Sequence, residues 1–125
     1  MRWAFLLFLL SSGAHADPKS HYLIHCMGCH LQDGGGLPPE VPAFDSTLGV
    51  LAATAAGREY LIRVPGASQA PIDDASLAAV LNWIIHEYSP QSGFVPFEID
   101  EVSKHRDKPL VNPALLRARL VDQTK

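Results

Sequence analysis

The clearest hydrophobic pattern in the chain lies in residues 73–88, where apolar side chains recur at three- and four-residue intervals. Such spacing places these side chains on one face of an α-helix. Asp73 is a favourable N-cap, and Asp74 puts a negative charge in the first turn, where it complements the helix dipole. Pro90 ends the segment. We therefore predict a long amphipathic helix with a buried face formed by Leu77, Val80, Leu81, Ile84 and Ile85.

Two shorter helices are predicted earlier in the chain. Residues 22–29 contain no proline, and a helix there places Cys26 and Cys29 on one face because positions three apart are neighbours. Residues 58–64 carry Tyr60, Leu61 and Val64 on one face, and the following Pro-Gly pair stops the helix.

Two segments between these helices, residues 32–42 and 66–71, are predicted as loops. Residues 32–42 contain three glycines and then three prolines, which exclude regular structure. Residues 47–56 are small and apolar, and Gly57 interrupts them. Residues 66–71 form another loop, at the point before the long helix. Because no segment alternates between polar and apolar residues as a strand would, we predict an all-α fold.

The C-terminal part, residues 94–125, reads as a basic helical extension of a main domain at residues 17–93. Helices are expected at residues 100–106 and 114–121, the second with an Asn-Pro start. From residue 103 onward there are six bases and two acids, whereas residues 17–102 hold eleven acids and three bases. This asymmetry favours an extension that folds back on the acidic main domain. The alternative is that the two oppositely charged faces steer different partners. The acidic main domain argues against nucleic-acid binding.

Residues 1–16 resemble a secretory signal peptide. Arg2 precedes an apolar run, and Ala14-His15-Ala16 is a small-x-small cleavage site. The run is too short for a membrane helix, which needs roughly 20 apolar residues. We expect an exported, periplasmic protein of one domain, without stable membrane insertion after cleavage at residue 16.

The chemistry of the chain is concentrated in Cys26-Met27-Gly28-Cys29-His30, which contains its only two cysteines. Cys-x-x-Cys-His is the signature of c-type haem attachment, in which two thiols form thioethers and the imidazole ligates the iron. A thioredoxin-like motif would need a βαβ setting, which is missing from the pattern. A zinc site would have to recruit a further histidine, and the helical surroundings favour haem.

From about residue 22 to residue 87 the chain resembles the class I cytochrome c family. The matching pieces occur in family order: an N-terminal helix, the haem motif, an Asp33-Gly34-Gly35-Gly36 loop with prolines, a middle helix and a closing helix in which Trp83 takes the place of the usual aromatic residue. The resemblance implies one covalent haem c held by Cys26, Cys29 and His30, with electron transfer as the activity. A proline carbonyl, from Pro38 or Pro42, is expected to orient the His30 ring.

The chain departs from the family where a methionine should ligate the distal side of the iron. Met1 leaves with the signal, and Met27 lies on the attachment side of the ring. The loop in question, residues 64–71, offers Ser68 and Gln69 as weak ligands or as holders of a water, or it leaves the position open. The histidines are less suitable: His105 lies in a charged run at residues 104–108 that is expected to be solvated, His86 on the polar face of its helix, His25 beside the motif, and His21 near the mature N-terminus.

Three functions follow from these expectations. The first is a periplasmic carrier of single electrons between redox proteins, with no catalytic residues of its own. The second is a haem subunit whose extension docks on a periplasmic dehydrogenase. The third is a ligand-binding or peroxidase-like protein with an open iron site.

Arg58 and Arg63 are candidates for pairing with the haem propionates, because guanidinium matches a carboxylate in a two-point contact.

Overall fold

The computed structural model describes residues 16–90 and 93–124, so that all of the predicted signal except Ala16 lies outside the described residues. Over this range the chain forms helices and no strand; Leu37 and Val41 make an isolated bridge. The all-α prediction is therefore confirmed. No helix in these two ranges is both long and apolar enough to cross a bilayer. The helices are α1 (Pro18–His25), α2 (Met27–His30), α3 (Ser46–Ala52), α4 (Ala55–Arg63), α5 (Pro65–Ser68), α6 (Asp74–Tyr88), α7 (Ile99–His105) and α8 (Pro113–Asp122).

Helix α6 is the centre of the packing, with α1, α3 and α7 against it. Helix α4 packs on α3 and also contacts α5, α7 and α8. The shared core is aliphatic with a few aromatic rings, and its least exposed large side chains are Tyr22, Ile62, Val80, Ile85 and Val102. The five positions predicted for the buried face of α6 all lie in this core.

Helices α6 and α8 begin where the sequence predicts, whereas α1 begins at Pro18, ahead of the predicted residue 22, and α3 was not predicted. The Asp73 carboxylate accepts a hydrogen bond from the Ser76 N–H (2.7 Å) and caps α6. At α8, the Asn112 side chain accepts from the Leu115 N–H (3.1 Å), and Pro113 occupies the first turn. A side-chain cap satisfies one of the N–H groups that a helix start leaves without a partner.

Around α4 and α5 the sequence-based prediction was wrong in detail. The break falls at Thr54, whose hydroxyl accepts from the Gly57 N–H (3.0 Å), and Gly57 lies inside α4. A Cβ at Gly57 would collide with the backbone of Leu51, so this glycine permits the close approach of α3 to α4. The predicted loop at residues 66–71 includes one turn of helix, α5, because the proline at its start has a φ suited to a first turn.

The extension, residues 94–125, is folded back on the main domain over its described part. Arg58 on α4 donates to both carboxylate oxygens of Glu101 (2.7 and 2.6 Å) and to the carbonyls of Val95 and Pro96. Its guanidinium also lies 4.0 Å from the centre of the Phe97 ring. These contacts attach the start of α7 to α4. They also occupy the guanidinium of Arg58, which was a candidate for pairing with a haem propionate.

The Arg58–Glu101 pair leads to a pH-dependent prediction. The hydrogen bonds from Arg58 hold the pKa of Glu101 below its ordinary value of 4.5. A carboxyl group with a lowered folded-state pKa stabilises the fold above its unfolded value, and this stability is lost as the pH falls through the folded pKa. We expect Glu101→Gln to lower the free energy of unfolding by about 1–3 kcal/mol at pH 7, measured by urea denaturation.

The pH profile separates this effect from a general loss of charge. The difference between wild type and Glu101→Gln should shrink as the pH is lowered below 4.5. Asp100→Asn removes the same charge from an exposed position on α7 and should leave the stability nearly unchanged. An equal cost for the two variants at pH 7 would contradict the role of the ion pair.

Candidate haem-attachment site

The two cysteines lie on a single turn of backbone between α1 and α2. Cys26 is the residue at which α1 ends and α2 begins, and its carbonyl accepts from the N–H groups of Cys29 (3.2 Å) and His30 (3.0 Å). Both thiols are free; Cys29 is exposed and Cys26 is half-buried. Burial raises the pKa of the Cys26 thiol, and the neighbouring Cys29 adds to the effect. The predicted helix over residues 22–29 is thus broken at Cys26.

The His30 ring lies directly against Phe44, with ring centres 4.0 Å apart and planes 11° from parallel. Burial lowers the pKa of His30, and the carbonyl of Pro42 acts in the opposite direction. The buried Nδ1 atom still has no hydrogen-bond partner of ordinary geometry within the described parts of the chain. A lowered pKa favours the neutral imidazole, which is the form that binds a metal.

The loop after the motif returns to the histidine through two glycines. Gly34 and Gly36 have φ values of 74° and 68°, a conformation that L side chains rarely adopt. A Cβ on Gly36 would overlap the carbonyl of Pro42, and the Gly36 N–H donates to the His30 carbonyl (3.3 Å). The loop therefore brings Pro42, rather than Pro38, to the ring of His30.

An aromatic cluster attaches the motif to the closing helix. Tyr22, which is completely buried, lies against Trp83 (5.1 Å between ring centres), Tyr88 (5.9 Å) and Phe44 (6.4 Å). Its hydroxyl donates to the carbonyl of Leu31 at 2.5 Å. Burial raises the pKa of Tyr22, so the hydroxyl keeps its proton and remains a donor. Phe44 was not identified from the sequence as part of the site. The only signal for it in the sequence is its position just after the proline-containing loop.

The distal candidates lie in different environments. Ser68 is buried, and its hydroxyl has no hydrogen-bond partner among the residues described, whereas Gln69 is exposed. His105 lies beside Glu59, with 3.9 Å between Nδ1 and a carboxylate oxygen. His86 is exposed on α6. Among the upstream histidines, His21 is half-buried and faces His25 at 5.8 Å, both on α1.

These residues fit a covalently attached haem. Two free thiols on one turn match the two thioethers, and the unpartnered buried imidazole beside them matches an iron ligand. The arginines do not serve the propionates in this arrangement: Arg63 donates to Glu59 and to the carbonyl of Lys108 (2.6 Å). A surface cleft of about 660 Å³ is lined by Ala52, Ala53, Arg58 and residues 93–96, 98, 100 and 101, none of which belongs to the motif.

The fold and the motif together define a small all-α haem protein. No family model matches the chain. A cytochrome c-552 of Thermus thermophilus is 34% identical over 143 aligned positions, which cover 95% of this chain and 96% of the relative. A second cytochrome c-552 of Thermus thermophilus is 34% identical over 115 positions, covering 75% and 88%. The chain belongs to the class I c-type cytochromes, and its cofactor is haem c.

The comparison also shows a difference in length. The 143 aligned positions exceed the 125 residues of this chain, so the first relative contains segments that the chain lacks.

Proposed function

We propose that the protein is an exported carrier of single electrons, with one haem bound through Cys26, Cys29 and His30. The observation that carries the proposal is the unpartnered, buried Nδ1 of His30 on the same turn as two free thiols. An isolated buried polar atom is rare in a native protein and calls for an explanation. When a haem iron binds the other ring nitrogen and sets the direction of the ring, Nδ1–H can donate to the Pro42 carbonyl, and the atom gains the partner that it lacks among the described residues.

Each part of the site has a passive role suited to electron transfer. Bound haem supplies a one-electron iron couple at its edge. Cys26 and Cys29 hold the cofactor to the chain, and the exposure of Cys29 supports an edge near the surface. Phe44 and the Tyr22 cluster fix the His30 ring, so that little rearrangement accompanies a change of charge at the iron. No residue of the site is assigned a catalytic step.

The proposed location rests on the sequence, and the proposed class of partner rests on the carrier function. The signal-like residues 1–16 support export to the periplasm, where we expect redox proteins as partners, either a dehydrogenase or a terminal acceptor. We divide the mature chain at residue 94 into a haem domain and an extension, which acts as a brace on the haem domain. Arg58, Arg63 and Arg106 all bind across this boundary, which supports the brace over an extension reserved for a partner enzyme.

The electron-carrier proposal is tested by a potentiometric titration of the holoprotein with spectroscopic detection. We expect a reversible one-electron curve that is the same in both directions, and repeated cycles without loss of haem. The matched control is the protein with His30→Ala, in which the iron loses its proximal ligand and the reversible curve should be lost or displaced. Irreversible reduction of the wild-type protein would contradict the carrier.

A second candidate, ligand binding at the iron, is favoured by one observation. Ser68 offers a buried hydroxyl that has no partner among the described residues, in the loop where the family expects a methionine. A hydroxyl can hold a water on the iron but cannot match the strength of a thioether or an imidazole ligand. We therefore expect carbon monoxide to change the visible spectrum of the reduced protein. A sharp low-spin spectrum that carbon monoxide leaves unchanged would instead require a strong sixth ligand such as His105.

A further inference from the structure

Arg106 makes four hydrogen bonds through its side chain, more than an arginine exposed on the surface needs. It lies at the end of α7, and its side chain is only 13% exposed. The charged run at residues 104–108 predicted a solvated side chain. Its guanidinium instead reaches across to the loop that joins α5 to α6. It donates to the carbonyls of Ser68 (3.3 Å), Ala70 (2.9 Å) and Ile72 (2.9 Å) and to the Asp74 carboxylate (2.7 Å).

The loop depends on this side chain for its path. We call residues 65–72 the distal loop. Three of its carbonyls converge on one guanidinium, whereas its own backbone bonds after α5 are short-range ones such as Ile72 N–H to the Ala70 carbonyl (2.8 Å). Charge-assisted hydrogen bonds are the stronger kind, and the planar guanidinium holds several acceptors in fixed directions. Arg106 therefore fixes the distal loop from outside, through the extension.

The distal loop also carries the buried Ser68 hydroxyl. Arg106 binds the carbonyl of Ser68 and leaves its hydroxyl without a partner in the described part of the chain. Buried hydroxyl groups normally have a hydrogen-bond partner, so an enclosed hydroxyl without one calls for an explanation. The same guanidinium that orders the backbone of the loop thus fixes the position of this unpartnered polar group.

We propose that Arg106 is a positioning residue that controls how readily small molecules reach the haem iron, by holding the distal loop and Ser68 in place. This inference rests on the proposed function and on its second candidate, in which Ser68 of the distal loop lies on the open side of the iron. A small molecule then has to wait for the loop to open, and its apparent binding is reduced by the fraction of time the loop is closed. The ligand class is a small neutral diatomic molecule, for which carbon monoxide is the probe.

The test compares carbon monoxide binding in the reduced holoprotein after flash photolysis. In Arg106→Gln the rate constant of association should rise roughly tenfold, because a loop without its external bonds opens more often. Arg63→Gln is the matched control: the Arg63 side chain binds the extension through the Lys108 carbonyl and, over the described residues, makes no hydrogen bond to the distal loop. It should change the rate by less than about twofold, since it leaves the loop bonds intact. Arg106→Lys should lie between wild type and Arg106→Gln.

The outcomes separate this inference from the function on which it rests. Equal rates in wild type and Arg106→Gln, with unchanged redox titrations, would overturn the role of Arg106 and leave the carrier standing. Equal acceleration by Arg63→Gln would also overturn it, because loosening the extension anywhere would then suffice. If Arg106→Gln does not fold, Arg106→Lys decides the matter by the same rate. If carbon monoxide binds neither the wild-type protein nor any variant, the inference about Arg106 is overturned. If the wild-type protein is not reduced reversibly in the redox titration, the electron-carrier proposal is overturned.

Discussion

Covalent haem should disappear from the protein when Cys26→Ser and Cys29→Ser are combined. The chain has no other cysteine, so the double variant has no thiol with which to form a thioether. Serine hydroxyls do not substitute, because the reaction requires the nucleophilic sulfur of a thiol. Haem staining of a denaturing gel should fall from a strong band to background. Each single variant should retain one thioether at most and give a reduced yield.

A change in the same turn of helix provides the control. Met27→Ser places a serine between the two cysteines without removing a thiol, so the stained band should persist. This separates the loss of attachment chemistry from damage to α1 and α2. Haem staining of wild-type strength in the Cys26→Ser/Cys29→Ser protein would refute the assignment of the site. An equal loss in Met27→Ser would show that the local helix, and not the thiols, is being tested.

Tyr22→Ala should cause the largest loss of stability among the substitutions considered. Tyr22 is fully buried between α1, the haem motif and α6, and its hydroxyl binds the carbonyl of Leu31. Replacing a buried aromatic residue by alanine costs about 3–5 kcal/mol, a large part of the roughly 5–15 kcal/mol that stabilises a typical domain. Chemical denaturation of the holoprotein, followed by far-ultraviolet circular dichroism, gives this difference.

Tyr22→Phe divides the effect into its two causes. The ring and its contacts with Trp83 and Phe44 remain, and only the hydrogen bond to Leu31 is lost. The expected cost is about 1 kcal/mol, increased if the Leu31 carbonyl stays buried without a partner. A loss below about 1 kcal/mol in Tyr22→Ala would mean that the cluster does not attach the motif to α6.

The starts of two helices were predictable from the sequence, whereas the caps of α1 at Asp17 and of α3 at Asp45 were missed. Helix α6 begins after Asp73 and α8 after Asn112, because in each case one side chain caps an N–H group three residues ahead. Gly57 was misread for the opposite reason. Its role depends on how closely α3 approaches, which is a tertiary fact, whereas a glycine inside an apolar run resembles a helix breaker.

The candidate site was predictable only where its residues are neighbours in the chain. The spacing of Cys26, Cys29 and His30 is enough by itself to predict covalent haem attachment. The surroundings of the site come from distant segments: Phe44 reaches His30 through a glycine loop, and Arg106 binds carbonyls more than thirty residues away. No local pattern distinguishes such an arginine from a solvated one, so charge alone favoured the wrong environment.

The most direct measurement of the central claim is mass spectrometry of peptides from the purified, protease-digested wild-type protein. We expect the peptide that contains residues 26–30 to carry the mass of one haem, and every other peptide to be unmodified. We also expect the intact protein to carry a single haem. A peptide found with two free thiols, or with a disulfide between Cys26 and Cys29, would contradict the account.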